Sequence, residues 1–169
     1  MTGAYVSGVT AFLQQENSDY ELYDLDHYQY HACAPQHSPV VCSDCGAVYQ
    51  KERWTWNNRP EEFCETLCPA CLRIQDRVPA GILTVRGDCL KEHRHDIMRL
   101  IRHTIHKVGK QHPLKRVMDM ECDDTEAVFT FTDTHMPREI GDALHQTFDG
   151  VLDCEYSSDQ SMLRVVWQR

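Results

Sequence analysis

The first fifty residues contain no lysine and no arginine, only six acids, so this end of the chain cannot itself grip a polyanion. No apolar run approaches the roughly 18 residues that a membrane-spanning helix needs. Met1 to Leu13 lack the basic start and long apolar stretch of a secretory signal. A soluble, cytoplasmic protein is expected. Also missing are a phosphate-cradling glycine loop, a His-Glu-x-x-His pair and a Gly-x-Ser-x-Gly elbow. No acid is singled out by its neighbours, so the sequence points away from an enzyme and shows no small-molecule substrate.

Cysteine, by contrast, is plentiful: nine in 169 residues. An odd total without an export signal argues against a disulfide framework. Four of the nine form two Cys-x-x-Cys pairs, Cys42 with Cys45 and Cys68 with Cys71, 22 residues apart. Each pair carries two sulfurs to one side of a tight turn, and two pairs fill the four tetrahedral positions that zinc prefers. A shell closed by four thiolates leaves no position for a substrate, so the implied Zn2+ is structural. Gly46 follows the second ligand, where the backbone must turn with φ > 0. Cys64 stands near the second pair and is an alternative ligand, and iron also suits four thiolates.

The remaining cysteines, Cys89, Cys122 and Cys154, read as small core residues. Ten histidines raise the question of a second metal. His103 and His106 could share a helix face, with His93, His95 and His112 nearby, but no carboxylate or cysteine accompanies them in a ligand pattern. They read as a solvated surface. His31, Cys33 and His37 could chelate loosely.

The chain divides into three parts. Residues 1–38 alternate acid and tyrosine with little Val, Ile or Leu, and read as an acidic, Tyr-rich flexible tail. Residues 39–78 form the zinc-ribbon module, with Tyr49, Trp54 and Trp56 on a short hairpin between the knuckles. Residues 79–169 read as an α/β sandwich domain. Ile82–Val85 is a strand, and a helix runs from Gly87 to about Lys107. That helix has Leu90, Ile97, Met98, Ile101, Ile105 and Val108 along one face. Strands over Arg116–Cys122 and Ala127–Thr132 flank a turn at Asp123–Glu126. A second helix spans Pro137–Phe148, and Val151–Tyr156 with Met162–Trp167 close the chain as a hairpin. The expected class is α+β: a ribbon followed by a two-layer β-α-β-β-α-β-β sandwich, with an antiparallel or mixed sheet and both helices on one face.

The net charge of −9 is unevenly spread. Residues 72–117 carry eleven basic and four acidic groups, whereas residues 118–169 carry three basic and twelve acidic groups. A basic centre between acidic ends bears on partners. Arg73, Arg77, Lys91, Arg94, Arg102 and Lys107, with Trp54 and Trp56, form the candidate nucleic-acid surface. The alternative is a protein–protein adaptor or regulator that uses the ribbon as scaffold and the acidic tail as docking element.

Several segments also carry a family resemblance: Cys42-Ser-Asp-Cys45-Gly-Ala-Val-Tyr49 with Arg53-Trp54-Thr-Trp56, Leu67-Cys-Pro-Ala-Cys71 through Gly81, His112-Pro-Leu, Thr132-Asp-Thr-His135 and Leu163-Arg-Val-Val-Trp167. From about residue 40 to 169 the chain resembles small bacterial zinc-ribbon proteins, a family distantly similar to the nuclear export adaptor of the large ribosomal subunit. The adaptor has more cysteines and further domains. The resemblance implies a bacterial protein associated with the ribosome or RNA.

Overall fold

A computed structural model describes residues 39–158 and 161–169. The expectations for a flexible tail and for chelation by His31, Cys33 and His37 lie outside the described residues. Among the described residues the protein is mixed α+β, with two sheets and four helices.

The small sheet comprises β1 (Val40–Cys42), β2 (Val48–Gln50), β3 (Arg53–Thr55) and β4 (Cys64–Thr66) in the order β3-β2-β1-β4. β1 to β3 are antiparallel neighbours, while β4 lies parallel to β1. Helix α1 (Pro69–Asp76) follows directly. It was not anticipated from the sequence, although its start is chemically simple. Cys68 is the N-cap, its sulfur accepts from the Cys71 N–H, and Pro69 occupies the first turn, where the missing N–H costs nothing. Arg77 ends the helix in the left-handed region, at φ 58°.

The second sheet has the order β6-β7-β5-β9-β8. Its strands are β5 (Gly81–Arg86), β6 (Val117–Cys122), β7 (Glu126–Phe131), β8 (Val151–Tyr156) and β9 (Leu163–Gln168). Central β5 runs parallel to β9 and antiparallel to β7, so the sheet is mixed. Alternate residues Leu83, Val85, Ala127, Phe129, Phe131, Leu163, Val165 and Trp167 share one buried cluster with Ile97, Met98, Ile101, Met136, Ile140 and Leu144. The sheet's period of two and the helices' 3.6-residue period therefore meet in a single core. Trp167 is fully buried, and its indole N–H donates to the Asp149 carbonyl at 2.8 Å, which satisfies its polar edge.

The helical layer differs in detail from the sequence expectation. One helix was expected from Gly87 to Lys107. The structure has a short α2 (Asp88–Glu92) and a long α3 (Arg94–Gln111), separated at His93 by φ −120° and ψ 24°. The Ile97 N–H still donates to the His93 carbonyl at 3.0 Å. The hydrogen bonding and the apolar stripe both pass across the bend, which is why spacing alone did not reveal it. Helix α4 (His135–Phe148) starts two residues earlier than expected, because the Asp133 carboxylate accepts the His135 and Met136 N–H groups at 2.9 and 3.3 Å. The spacing of Met118, Met120 and Cys122 predicts one buried face for β6, but the register shifts between Val117 and Asp119 and Met120 is exposed.

Gly87 joins β5 to α2 at φ +112°, and a Cβ there would collide with the Arg169 carbonyl oxygen. That carbonyl accepts the Cys89 N–H at 3.2 Å and so ties the chain's last residue to the helix start. Gly87→Ala is expected to destabilise the protein by about 2 kcal/mol or more, read as a lower urea midpoint with native circular dichroism at zero denaturant. An unchanged midpoint would mean this junction yields without strain.

Candidate metal centre

Two turns build the site. In the first, the Cys42 N–H donates to the Ala47 carbonyl at 2.8 Å, and the Gly46 N–H donates to the Cys42 carbonyl at 3.0 Å. Gly46 takes φ +75°, the conformation such a turn requires. In the second, the start of α1 carries Cys68 and Cys71. The sulfurs of Cys42, Cys45, Cys68 and Cys71 all lie within 4.8 Å of one another. Cys45 and Cys68 are 3.7 Å apart, sulfur to sulfur. A tetrahedron with sulfur about 2.3 Å from its centre has edges of about 3.8 Å, so the quartet fits a single ion. Among the described residues no other set of three or more His, Cys, Asp or Glu side chains gathers in this way. Cys64 is exposed in β4 and outside the quartet. His93, His95, His103, His106 and His112 likewise form no such set.

The surroundings act on the sulfurs in opposite directions. The Cys68 N–H donates to the Cys42 sulfur at 3.2 Å, and the Cys71 N–H to the Cys68 sulfur at 3.4 Å. At Cys42 burial works upward, but hydrogen bonds from the Cys45, Cys68 and Asp44 backbones outweigh it and hold the thiol at about 7. Burial pushes Cys68 up to about 12, with the charges of Cys45 and Cys42 adding to the rise. Cys71 is also raised, first by burial. Four sulfurs thus repel charge among themselves unless a cation joins them.

One cation already approaches from the larger sheet. The Arg116 guanidinium donates to the Cys71 sulfur at 3.1 Å. Burial opposes its charge, but the sulfurs of Cys71, Cys45 and Cys68 more than compensate and raise its pKa. Thr132 fixes this arginine's backbone. Its hydroxyl accepts the Arg116 N–H at 2.9 Å and donates to the Leu114 carbonyl at 2.6 Å. Leu114 itself packs on the cysteine cluster together with Trp54 and Leu67.

The candidate nucleic-acid residues are scattered by the fold. Arg73 is only 6% exposed, and its guanidinium donates to the Val78 carbonyl at 3.3 Å. The expectation that it faces a ligand is therefore corrected: it braces the end of α1. Arg94 bonds the Asp123 carbonyl and the Cys122 sulfur and pairs with Asp124 at 3.7 Å, so it serves the β6–β7 turn. Trp54 is half-buried against Tyr49, with ring centroids 5.4 Å apart. Arg77, Lys91, Arg102 and Lys107 are exposed, Lys91 beside Asp88 at 4.0 Å. Trp56 is 45% exposed, and its indole N–H donates to the Gly109 carbonyl of α3 at 2.8 Å.

Sequence reasoning passed over Arg99 and Lys110. Arg99, Arg102, His106 and Lys110 follow one another by three or four residues, forming a single exposed stripe along α3. That spacing was available in the sequence. What it could not show is which flank of the helix faces the acids of α4. Lys107 and His103 share a hollow with Glu139 and Asp142 of α4, whereas His106 and Lys110 border one with Trp56 and Gly109.

Comparison with protein-family models, curated proteins and solved structures finds no match for this chain.

Because Arg116 offsets thiolate charge from outside the ligand set, Arg116→Ala is expected to lower metal affinity about tenfold. Competition with a chromophoric chelator measures it. Wild-type affinity in that variant would show that the guanidinium contributes nothing to ion binding.

Proposed function

We propose that this chain is a non-enzymatic zinc protein that associates with RNA, free or on the ribosome, through its basic central helix. The cysteine quartet supports a closed structural zinc site in a ribbon, since all four tetrahedral positions would be filled by protein sulfur. Zinc in such modules contributes on the order of 10–16 kcal/mol near neutral pH. That is ample to hold four strands of three residues each. The ribbon is the scaffold, and the sandwich beside it carries the binding surface.

The single observation that carries the RNA reading is the flank of α3. From Met98 to His112 the sequence contains no acid. Arg99, Arg102 and Lys110 are exposed there, Arg99 sharing Asp96 at 3.0 Å. A net charge of −9 would weaken attachment to a polyanion if it were evenly spread. Segregation of the positive charge onto one helix answers that objection, because phosphate contacts act within about a Debye length. The resemblance of residues 40–169 to bacterial zinc-ribbon proteins points the same way. The alternative, a protein–protein adaptor docking through the acidic segment 1–38, makes a different demand, since it needs that segment and not the helix.

Co-sedimentation with ribosomes and anisotropy on labelled RNA across a salt series test the reading. Affinity is expected to fall linearly in log–log form, with a slope of about 0.7 per phosphate neutralised on a single strand. The triple substitution of Arg99, Arg102 and Lys110 by Ala is expected to flatten that slope by about two units. Binding indifferent to these three residues but lost on deleting residues 1–38 would favour the adaptor.

A further inference from the structure

The seam between the small sheet and α3 holds a feature that a basic helix alone does not explain. Trp56 follows β3, a strand of the cysteine module, yet its indole N–H is tethered to the Gly109 carbonyl near the end of α3. The tether holds the ring by its edge. The ring then borders a hollow of about 450 Å3 whose other walls are His106, Gly109 and Lys110. An exposed large aromatic beside cations has a specific use in recognition: a flat base can lie on the indole while its phosphates meet the adjacent cations.

We infer that this hollow is a nucleobase subsite, in which an unpaired base of single-stranded RNA stacks on Trp56 with Lys110 and His106 beside it. The inference rests on the RNA reading above and names the form of RNA involved. Three observations support the choice of a single strand. First, stacking on a side chain requires a base that is not already stacked in a duplex. Second, the cationic stripe of Arg99, Arg102, His106 and Lys110 leads straight to the hollow, with successive rungs about 5–6 Å apart, so a strand tracking the stripe arrives at the ring. Third, the opposite flank, where His103 and Lys107 lie, is lined by Glu139 and Asp142. Those carboxylates disfavour phosphate there and leave the Trp56 flank as the open route.

The geometry also makes the subsite a joint product of both parts of the protein. Trp56 comes from the cysteine module and the cations from the sandwich. They are registered by the Trp56–Gly109 bond, by Arg116 on Cys71 and by Leu114 on the cysteine cluster.

The test uses the full-length, metal-loaded protein with two fluorescein-labelled probes at low salt, a twelve-nucleotide single-stranded RNA and a blunt RNA duplex of the same length. Trp56→Ala is expected to weaken the single strand about tenfold with the salt slope unaltered, and to leave duplex binding within twofold. Trp56→Phe, which keeps a ring but loses the N–H that bonds Gly109, is expected to recover only part of the loss, about twofold to threefold. Photocrosslinking of the wild-type protein to a 4-thiouridine probe gives a readout independent of any variant's folding, and the adduct is expected on the peptide holding Trp56 or on that holding His106 and Lys110. Trp56→Ala binding as tightly as wild type, or crosslinks confined to other peptides, would overturn the subsite while leaving the basic-helix reading intact. No salt-dependent RNA binding by the wild-type protein would remove both.

Discussion

Four sulfur atoms drawn within 4.8 Å of one another are the constraint on which the cysteine module, Val40 to Asp76, depends. The sheet around them consists of three-residue strands. Besides the buried sulfurs, the module's buried apolar residues are only Val40, Val41, Val48, Ala47 and Ala70, with Trp54, Leu67 and Leu114 packed around the cysteines. That is too little apolar surface to offset the entropy of ordering such a segment. Left without a cation, buried thiols must either stay protonated or repel one another. Bridged by one, the same atoms become the strongest fixed point in the module. The turn at Gly46, the start of α1 and the N–H groups of Cys68 and Cys71 all converge on them.

The larger sheet has no such dependence. Its core is formed by alternate residues of three central strands and the inner faces of α3 and α4, an arrangement that apolar burial alone can sustain. The two parts are linked by Arg116 to Cys71, Leu114 against the cluster, and Trp56 to Gly109. Arg116 is held from behind by Thr132, a buried residue just after β7. A guanidinium and a threonine hydroxyl therefore connect the sulfur site to the sheet. The proposed binding surface stands on this seam. A net negative protein can present it because α3 turns its apolar face inward and its cations outward, while nearly all the acids lie before and after that helix in the chain.

Much of this was legible in the residues. The spacing of Cys42, Cys45, Cys68 and Cys71 predicted their convergence, because two Cys-x-x-Cys turns have few other ways to satisfy four thiols. The strands at Ile82–Val85 and Met162–Trp167 could be read from short runs rich in apolar and β-branched residues, and they lie within one residue of β5 and β9 at each end. Features that depend on partners distant in sequence could not. The bend at His93 leaves the helical spacing unbroken. Arg73 reads as a surface cation until the Val78 carbonyl folds back over it, and Arg94 until the β6–β7 turn arrives beside it. The register shift at Met118 reflects how β6 lies on β7. Helix α1 carries its start signal locally, in the proline at its first position. The distinction between the two flanks of α3 required knowing where Glu139, Asp142 and Trp56 come to rest.

The most direct test of the central claim is amide hydrogen exchange on the full-length protein before and after chelation, alongside elemental analysis of the purified material. One ion per chain is predicted. On its removal, protection should vanish across residues 40–76 while the strands between residues 81 and 168 keep theirs. Metal-free material with the same protection pattern throughout would contradict the claim that a bound ion organises this end of the protein.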